Sequence, residues 1–587
     1  MRLGNNGLEE HDRLARLGLA LQAALIAAAI GLTYGHTLDV PFYLDDYLTL
    51  QTNPAVKRFD LSRLWQDEPL RFLGYLSLAV NYKLHGLKVA GYHLLNLLLH
   101  FLATLALWQL VRELIKTPAG KDAAGAGLPL AVALLFALHP LQTQAVTYIS
   151  QRFAVLAALF YLTVLLCYLR LRFAPTRKAR WQWGGGALLA ALLALFSKQN
   201  AASLPLAVLL IELVCFPNSP YAGRLRWLAL GVLALGLGLL GGISYLPQFA
   251  ALDRFTRETQ WFSRSDYLAA QVEVLWWYLR LFFWPQGLRL DYAAHTPPSW
   301  FDPWVVLAAV GHLGLIALAL GNLRRVPLMA FGILFYYIAH LVESSVIPIK
   351  DLVFEHRTYL PNAGLAIACA FGLMVVLPRA LPQRVWWFGP GMLALALLGF
   401  ALKTWQRNQL WRDPIAFWQD NVRLAPGALR PKLELAREYF EAGRIEESLK
   451  LGREIAASTP WPPKAPLPQS VAANLAAAYL VAGDFARALQ AVEDTLKRPL
   501  LPQVKKRLHW VAGSAHLAQQ RYAQAEADYR QALSLDSEDP DLWLSLGEAL
   551  LAQGKLAAAK KAYAKVQSLA PHNPAANQRL VELGERQ

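Results

Sequence analysis

Two adjacent carboxylates, Asp45 and Asp46, sit in the segment HTLDVPFYLDDYLTLQTNP with Tyr43 and Tyr47 beside them. Neighbouring acids can divide labour: one serves as general base while the other orients it or binds a metal. The same pattern fits a solvated acidic turn or a helix cap. Arg152, Lys198 and Arg357 stand at the edges of apolar runs, in TYISQRFAVL, LFSKQNAASLPL and VFEHRTYLPNAG. A cation at membrane depth is costly unless it snorkels or meets an anion. Several facing one cavity suit a phosphate, which Arg holds by paired hydrogen bonds and Lys as a point charge. Arg152 or Lys198 taken alone reads first as a boundary anchor, and the triplet around Arg357 equally as a juxtamembrane charge cluster. Glu355 and His356 form an E-H-R triplet with Arg357, and His356 is a candidate hydrogen-bond donor to a departing phosphate. His93, Asn96 and His100 share one face of YHLLNLLLH, where they either line a polar cavity or bond neighbouring helices. Asp291, Tyr292 and His295 follow an aromatic-rich stretch, and Glu343 lies in an apolar run. The chain has no Walker loop, no glycine-rich dinucleotide turn, no HExxH and no CxxC pair. Nothing in it supports nucleotide binding, a zinc site or a serine-hydrolase elbow.

The elements that must position these residues are apolar helices. Of 587 residues 55% are hydrophobic and 17% charged, against roughly 25% charged in a soluble domain. Mean hydropathy is +0.29. Disorder, a collagen-like repeat and a small disulfide scaffold are excluded, and a membrane protein with a soluble part is indicated. The 57 Lys and Arg exceed the 41 Asp and Glu, giving +16. These cations are scattered through short loops, which points to orientation in a bilayer and not to nucleic acid. Cys167, Cys215 and Cys369 all lie in apolar runs and read as core or lipid-facing residues.

Runs of about 20 apolar residues occur near 14–33, 91–111, 128–147, 152–171, 184–198, 200–216, 225–246, 302–320, 326–343, 358–378 and 385–403. They predict about eleven spans. The first is too long for a signal-peptide core and lacks a cleavage site, so it is expected to be retained. The run 268–284 carries Glu273 and Arg280. It fits an interfacial or re-entrant helix as well as a twelfth span. The most basic short loop, 170–180, is assigned to the cytoplasm. The N-terminus is then cytoplasmic, while the loops 34–90, 247–301 and 344–357 and the segment after the last span are external. Long loops with helices of their own are usually functional.

Composition changes near Lys403. Domains are expected at 1–403 and 404–587, the second made of helical repeats: LAREYFEAGRIEESLKLGREI, LAAAYLVAGDFARALQAVEDTL, VAGSAHLAQQRYAQAEADYRQAL and LGEALLAQGKLAAAKKAYAKV. Gly443, Gly483, Gln520 and Gly554 occupy corresponding turns, the last two separated by the tetratricopeptide period of about 34 residues. Ala525 and Ala557 are expected at the seams of helix pairs, with Pro540 and Pro574 opening new helices. A weaker first unit begins near Trp411. Such an array binds protein or peptide in a concave groove.

Taken in order, FYLDDYLTLQTNP, YHLLNLLLH, ALHPLQTQAVTYISQR, FSKQNAASLPLAVLLIEL, LFFWPQGLRLDY and ESSVIPIKDLVFEHRTYLPNAG, followed by the repeats, resemble the membrane-embedded C-type (GT-C) glycosyltransferases. Within them the chain is similar to the transmembrane-and-TPR proteins, relatives of the protein O-mannosyltransferases. The resemblance covers nearly the whole chain. It implies an all-α protein, a GT-C-like polytopic domain followed by a TPR solenoid. The donor would be a sugar on a polyprenyl or dolichyl phosphate and the site would face outward, periplasmic in a bacterial inner membrane. Asp45 would be the base, with Asp46 the alternate. Arg152, Lys198 and Arg357, with His356, would hold the lipid phosphate. Glu355, Asp291, Tyr292, His93 and Gln199 would line the donor and acceptor pocket. The metazoan relatives have G-R where this chain has Gln151-Arg152 and K-E where it has Lys198-Gln199, which puts a direct role of Gln199 in doubt. No cofactor is required, although the acid pair is compatible with a divalent metal.

The expected function is therefore transfer of a sugar to Ser or Thr of exported proteins, by direct displacement, with the TPR groove presenting the acceptor. Two alternatives stay open: a membrane-anchored TPR scaffold for envelope or pilus assembly, and a glycosyltransferase acting on lipid or polysaccharide.

Overall fold

Short polar residues and prolines mark where helices begin. In the computed structural model Asn53 accepts hydrogen bonds from the Ala55 and Val56 N–H groups (3.0 and 3.2 Å) ahead of Pro54. Asp60 caps Leu61–Asp67 through the Arg63 N–H, and Thr176 and Ser263 cap the helices that follow them. These side chains satisfy N–H groups that a helix leaves without partners. The structure describes residues 3–123, 127–219, 223–224, 227, 231, 258–259, 262–294, 299–458, 466–570 and 573–585. Within them the chain is all helix, turn and loop.

The chain divides into two compact units, 1–413 and 414–587. In the first, the main helices are α1 (Leu3–Tyr34), α2 (Phe72–His85), α3 (Val89–Leu114), α4 (Leu128–Ala137), α5 (Thr143–Thr147), α6 (Arg152–Phe173), α7 (Arg177–Leu195) and α8 (Leu204–Cys215). They continue with α9 (Arg264–Phe283), α10 (Pro303–Gly321), α11 (Pro327–His340), α12 (Pro361–Phe371) and α13 (Phe388–Trp411).

Among the described residues six helices are long and apolar enough to cross a membrane, or seven if a bent pair forms one span. This is a membrane protein, and among the described residues fewer full-length spans stand than the eleven apolar runs suggest. The runs 200–216 and 326–343 fold as shorter helices. The run 184–198 falls in α7, which opens on the charged, glycine-rich RKARWQWGGG, and the run 225–246 lies outside the described residues. The run 268–284 is the continuous helix α9. The bent pair, Leu128–Ala137 with Pro140–Thr147, turns by 53°. Pro140 has no N–H and keeps its predecessor extended: His139 has ψ 130°.

Helices α11 and α12 meet backbone to backbone. A Cβ on Gly332 would collide with the Gly364 carbonyl, and one on Gly364 with the Gly332 carbonyl. Small residues permit such approach where apolar driving force between helices is weak.

The second unit is a series of helix–turn–helix pairs: Leu429–Glu441 with Ile445–Ser458, Pro466–Val481 with Phe485–Leu496, Pro502–Ala518 with Tyr522–Leu535, and Pro540–Ala552 with Leu556–Leu569. Pro414–Leu424 precedes them and Pro574–Glu585 follows them. The corresponding turn positions share one backbone state: Gly443 and Gly483 at φ 74°, Gly554 at 75° and Gln520 at 62°. Pro540 and Pro574 open helices as expected. The seam residue that matches Ala525 is Ala559, buried like it, whereas Ala557 is exposed.

Candidate active site

The loop after α1 is held in an unusual backbone shape. Leu44 has φ 33°, in the left-handed region that β-carbon sterics disfavour. That turn separates the two acids that follow. Asp46 is buried, its Oδ2 accepting from the Tyr43 N–H (3.0 Å) and its Oδ1 from the Ser150 N–H (2.7 Å). Burial pushes its carboxyl up to about 7, although both hydrogen bonds act the other way. Asp45 is exposed; its backbone N–H donates to the Tyr148 hydroxyl (2.7 Å). The Tyr43 hydroxyl donates to the Trp411 carbonyl (2.6 Å) and its ring lies edge-on to the Trp411 indole. Asp46 is thus a structural pin between the loop and the segment before α6, which corrects its standing as an alternate base. Each Asp46 oxygen accepts one backbone hydrogen bond. Among the described residues no group of three His, Cys, Asp or Glu is arranged to hold a metal.

Arg152 is fully buried and its donors go to protein acceptors. Nε donates to Asn96 Oδ1 (2.8 Å), Nη1 to Asn81 Oδ1 (2.6 Å) and to Ser77, and Nη2 to the Tyr92 carbonyl (3.0 Å). The guanidinium locks α2, α3 and α6 together, so the expectation that it grips a phosphate is corrected. The polar face of α3 is structural as well. His93 bonds the Val40 carbonyl, Asn96 the Val146 carbonyl, and His100 both Tyr359 and the Ala137 carbonyl. Buried polar groups need such partners, and His93 therefore pins the acid loop instead of lining a pocket.

Lys198, Arg357 and His356 do converge. Lys198 Nζ lies 2.5 Å from Glu343 Oε1, both side chains about one-tenth exposed. Arg357 is buried, donating to the carbonyls of Asp351 (2.7 Å) and Leu352 (3.3 Å). Lys198, Arg357 and Arg71 all act electrostatically on the buried His356 ring, and Arg71 acts also on Lys198. Burial first, then these three cations, drive His356 well below its usual ionisation range, so it is neutral at pH 7. Gln144 Oε1 accepts from the His356 backbone N–H (2.7 Å), which fixes the amide's orientation, and stands 3.1 Å from Nδ1. That oxygen accepts from Nδ1 when Nδ1 carries the ring proton. Gln199 is half-buried at the start of the turn after Lys198.

Glu355 faces a different cluster from His356. Its Oε1 accepts from the Tyr292 hydroxyl and the Arg289 N–H, each at 2.6 Å, and Arg407 and Arg289 supply the nearby positive charge. Burial nevertheless raises its ionisation. Asp291 Oδ1 accepts from the Ala293 N–H (2.9 Å) in a local turn where Ala293 has φ 49°. His295 lies outside the described residues.

One side chain relates the acid to the cations: the Tyr75 hydroxyl on α2 is within electrostatic reach of both Asp45 and Arg71, and burial pushes it up to about 12. Tyr148, Trp411, Gln144 and Arg71 are not evident as site residues from spacing. Arg71 begins the stretch RFLGYLSLAVNYKLHG, whose amphipathic pattern hides a lone cation at its head.

A tetratricopeptide-repeat family model matches residues 511–574. The chain is 23% identical to the human protein O-mannosyl-transferase TMTC3, over 94% of this chain and 64% of that protein. It is 26% identical to the protein O-mannosyl-transferase Tmtc3 of Drosophila melanogaster, over 82% of this chain and 59% of that protein. It thus spans less than two thirds of either relative. Among solved structures, a thermophilic TPR protein of Thermus thermophilus shares 21% identity with 33% of this chain, covering 96% of that chain at a TM-score of 0.25. The resemblance read from the ordered segments is borne out by relatives that match most of the chain.

Proposed function

We propose that this protein transfers a sugar from a polyprenyl-phosphate carrier to Ser or Thr hydroxyls of exported proteins, at the outer face of a bacterial inner membrane. The reading rests on the likeness to protein O-mannosyl-transferases and on one observation. An exposed Asp45, anchored through its backbone to Tyr148, is related through Tyr75 to a cluster where Arg71, Lys198 and Arg357 meet. That is the division of charge a direct displacement needs: a base for the acceptor and cations for the leaving phosphate.

In the proposed step the acceptor oxygen bonds the anomeric carbon as its proton passes to Asp45. The anomeric carbon–oxygen bond to phosphate breaks, and its electron pair stays on the phosphate. A single displacement inverts the sugar centre. Arg357 and Lys198 hold the phosphate, and Glu343 keeps Lys198 charged and oriented. Arg152 and Asp46 act one layer behind, fixing the helices and loop that carry the site. The TPR unit presents the acceptor on the same, external side. A divalent cation, if used, would have Asp45 as its carboxylate ligand.

The test is the glycan mass on secreted proteins in intact cells carrying Asp45→Asn, with expression confirmed. Loss of glycosylation by at least about 100-fold is expected for a general base. Unchanged glycosylation would remove Asp45 from the mechanism.

A further inference from the structure

Arg71 ends the turn Pro69–Arg71, immediately before α2. Backbone and ring contacts fix its place. The Leu73 N–H donates to the Phe196 carbonyl (3.0 Å), and Trp65 packs against both Phe72 and Phe196. Phe196 lies just ahead of Lys198, so this tether carries Arg71 to the Lys198 end of α7. The Arg71 Nε is buried and meets no hydrogen-bond partner among the described residues. Burying a guanidinium N–H without an acceptor is costly, and the site that does so is built to receive an acceptor from outside the chain.

Charge says which acceptor. Lys198 pairs with Glu343 and Arg357 has the Asp351 carboxylate within electrostatic reach, while the Arg71 charge acts on the same His356 ring and attracts a doubly charged group about twice as strongly as a singly charged one. A lipid phosphate bearing a sugar is a diester with one negative charge. The lipid phosphate that departs is a monoester, which carries about −1.5 to −2 at neutral pH. The second negative charge appears only as the bond to the sugar breaks.

We propose that Arg71 binds the phosphate alongside Arg357 and Lys198, and that it matches the charge gained by the leaving group more than the charge already on the donor. This assignment rests on the function proposed above and names the cation that separates transition state from ground state. Binding that strengthens during the reaction raises turnover, whereas binding present from the start does not.

The test uses the full chain in lipid nanodiscs with two probes, farnesyl phosphate and its methyl phosphodiester. Arg71→Gln is expected to weaken monoester binding about tenfold or more and diester binding about twofold or less. Arg71→Lys, which keeps charge but not the planar fork, is expected to retain most of the monoester preference. Lys57→Gln, an exposed cation of the same loop, is expected to change neither. Where Arg71→Gln does not reconstitute, Arg71→Met carries the same comparison. Equal losses for both lipids, or none, overturn the role of Arg71 and leave the transferase reading standing. A wild-type chain that binds neither lipid overturns both.

Discussion

Asp46 ionises near 7 in the folded chain because it is buried, and near 4 when unfolded. Between those values the native state holds a proton that the unfolded state has lost. This contribution to stability is complete below about pH 4 and declines as pH rises towards 7, by at most about 1.4 kcal/mol per pH unit. Asp46→Asn should flatten that slope. Thermal unfolding of wild type and variant in one detergent at several pH values reads it, and identical slopes would rule out the buried acid as the cause. Arg152→Lys keeps a charge but cannot span Asn81, Asn96 and the Tyr92 carbonyl at once. A loss of about 3 kcal/mol is expected, seen as a lower unfolding temperature; a variant as stable as wild type would show the latch to be dispensable. Arg152 and Lys198 carry the same signal in the sequence, a cation at the edge of an apolar run. What separates them arrives from far along the chain: Asn81 and Asn96 close on one, Glu343 on the other. The two acids are likewise indistinguishable by spacing, because the N–H that claims Asp46 belongs to Ser150.

Local pattern is the most legible at the scale of elements. The repeat turns can be placed from sequence because a helix–turn–helix is specified by neighbouring residues, and their shared positive φ follows from that geometry. Gln520 departs from glycine at such a position. Gln520→Gly should stabilise the repeat unit by roughly 0.5–1 kcal/mol, the relief of left-handed strain exceeding the added chain entropy. Denaturant unfolding measures the shift in midpoint, and a midpoint that falls would contradict it. The spans are less legible. Apolar runs announce burial without saying whether lipid or protein does the covering, so short helices such as α8 and α11 read like full crossings. The bend at His139-Pro140 is written in the proline, yet its use, bringing Gln144 to His356, depends on a contact made 212 residues away in sequence.

For the molecule as a whole, composition and fold disagree on where the first unit ends. Hydropathy falls at Lys403, but α13 continues to Trp411 and its polar end is buried. Thr404 bonds the Leu138 carbonyl, and Asn408 bonds both Thr147 and the Thr33 carbonyl. Polarity there marks internal hydrogen bonding and not exit from the unit. A fragment ending at 413 should therefore resist proteolysis in the acid loop, while one ending at 403 should be cut there readily. Equal cleavage would show that the end of α13 does not support the loop.

The clasp between the Tyr43 hydroxyl and the Trp411 carbonyl joins residues 368 positions apart. During translation the acid loop leaves the ribosome early, whereas its fastener is made only when synthesis of the unit is nearly complete. A nascent chain stalled before Trp411 holds Asp45 on an unfastened loop. Fixing of the acid loop is thus a late event of biogenesis, coinciding with completion of α13.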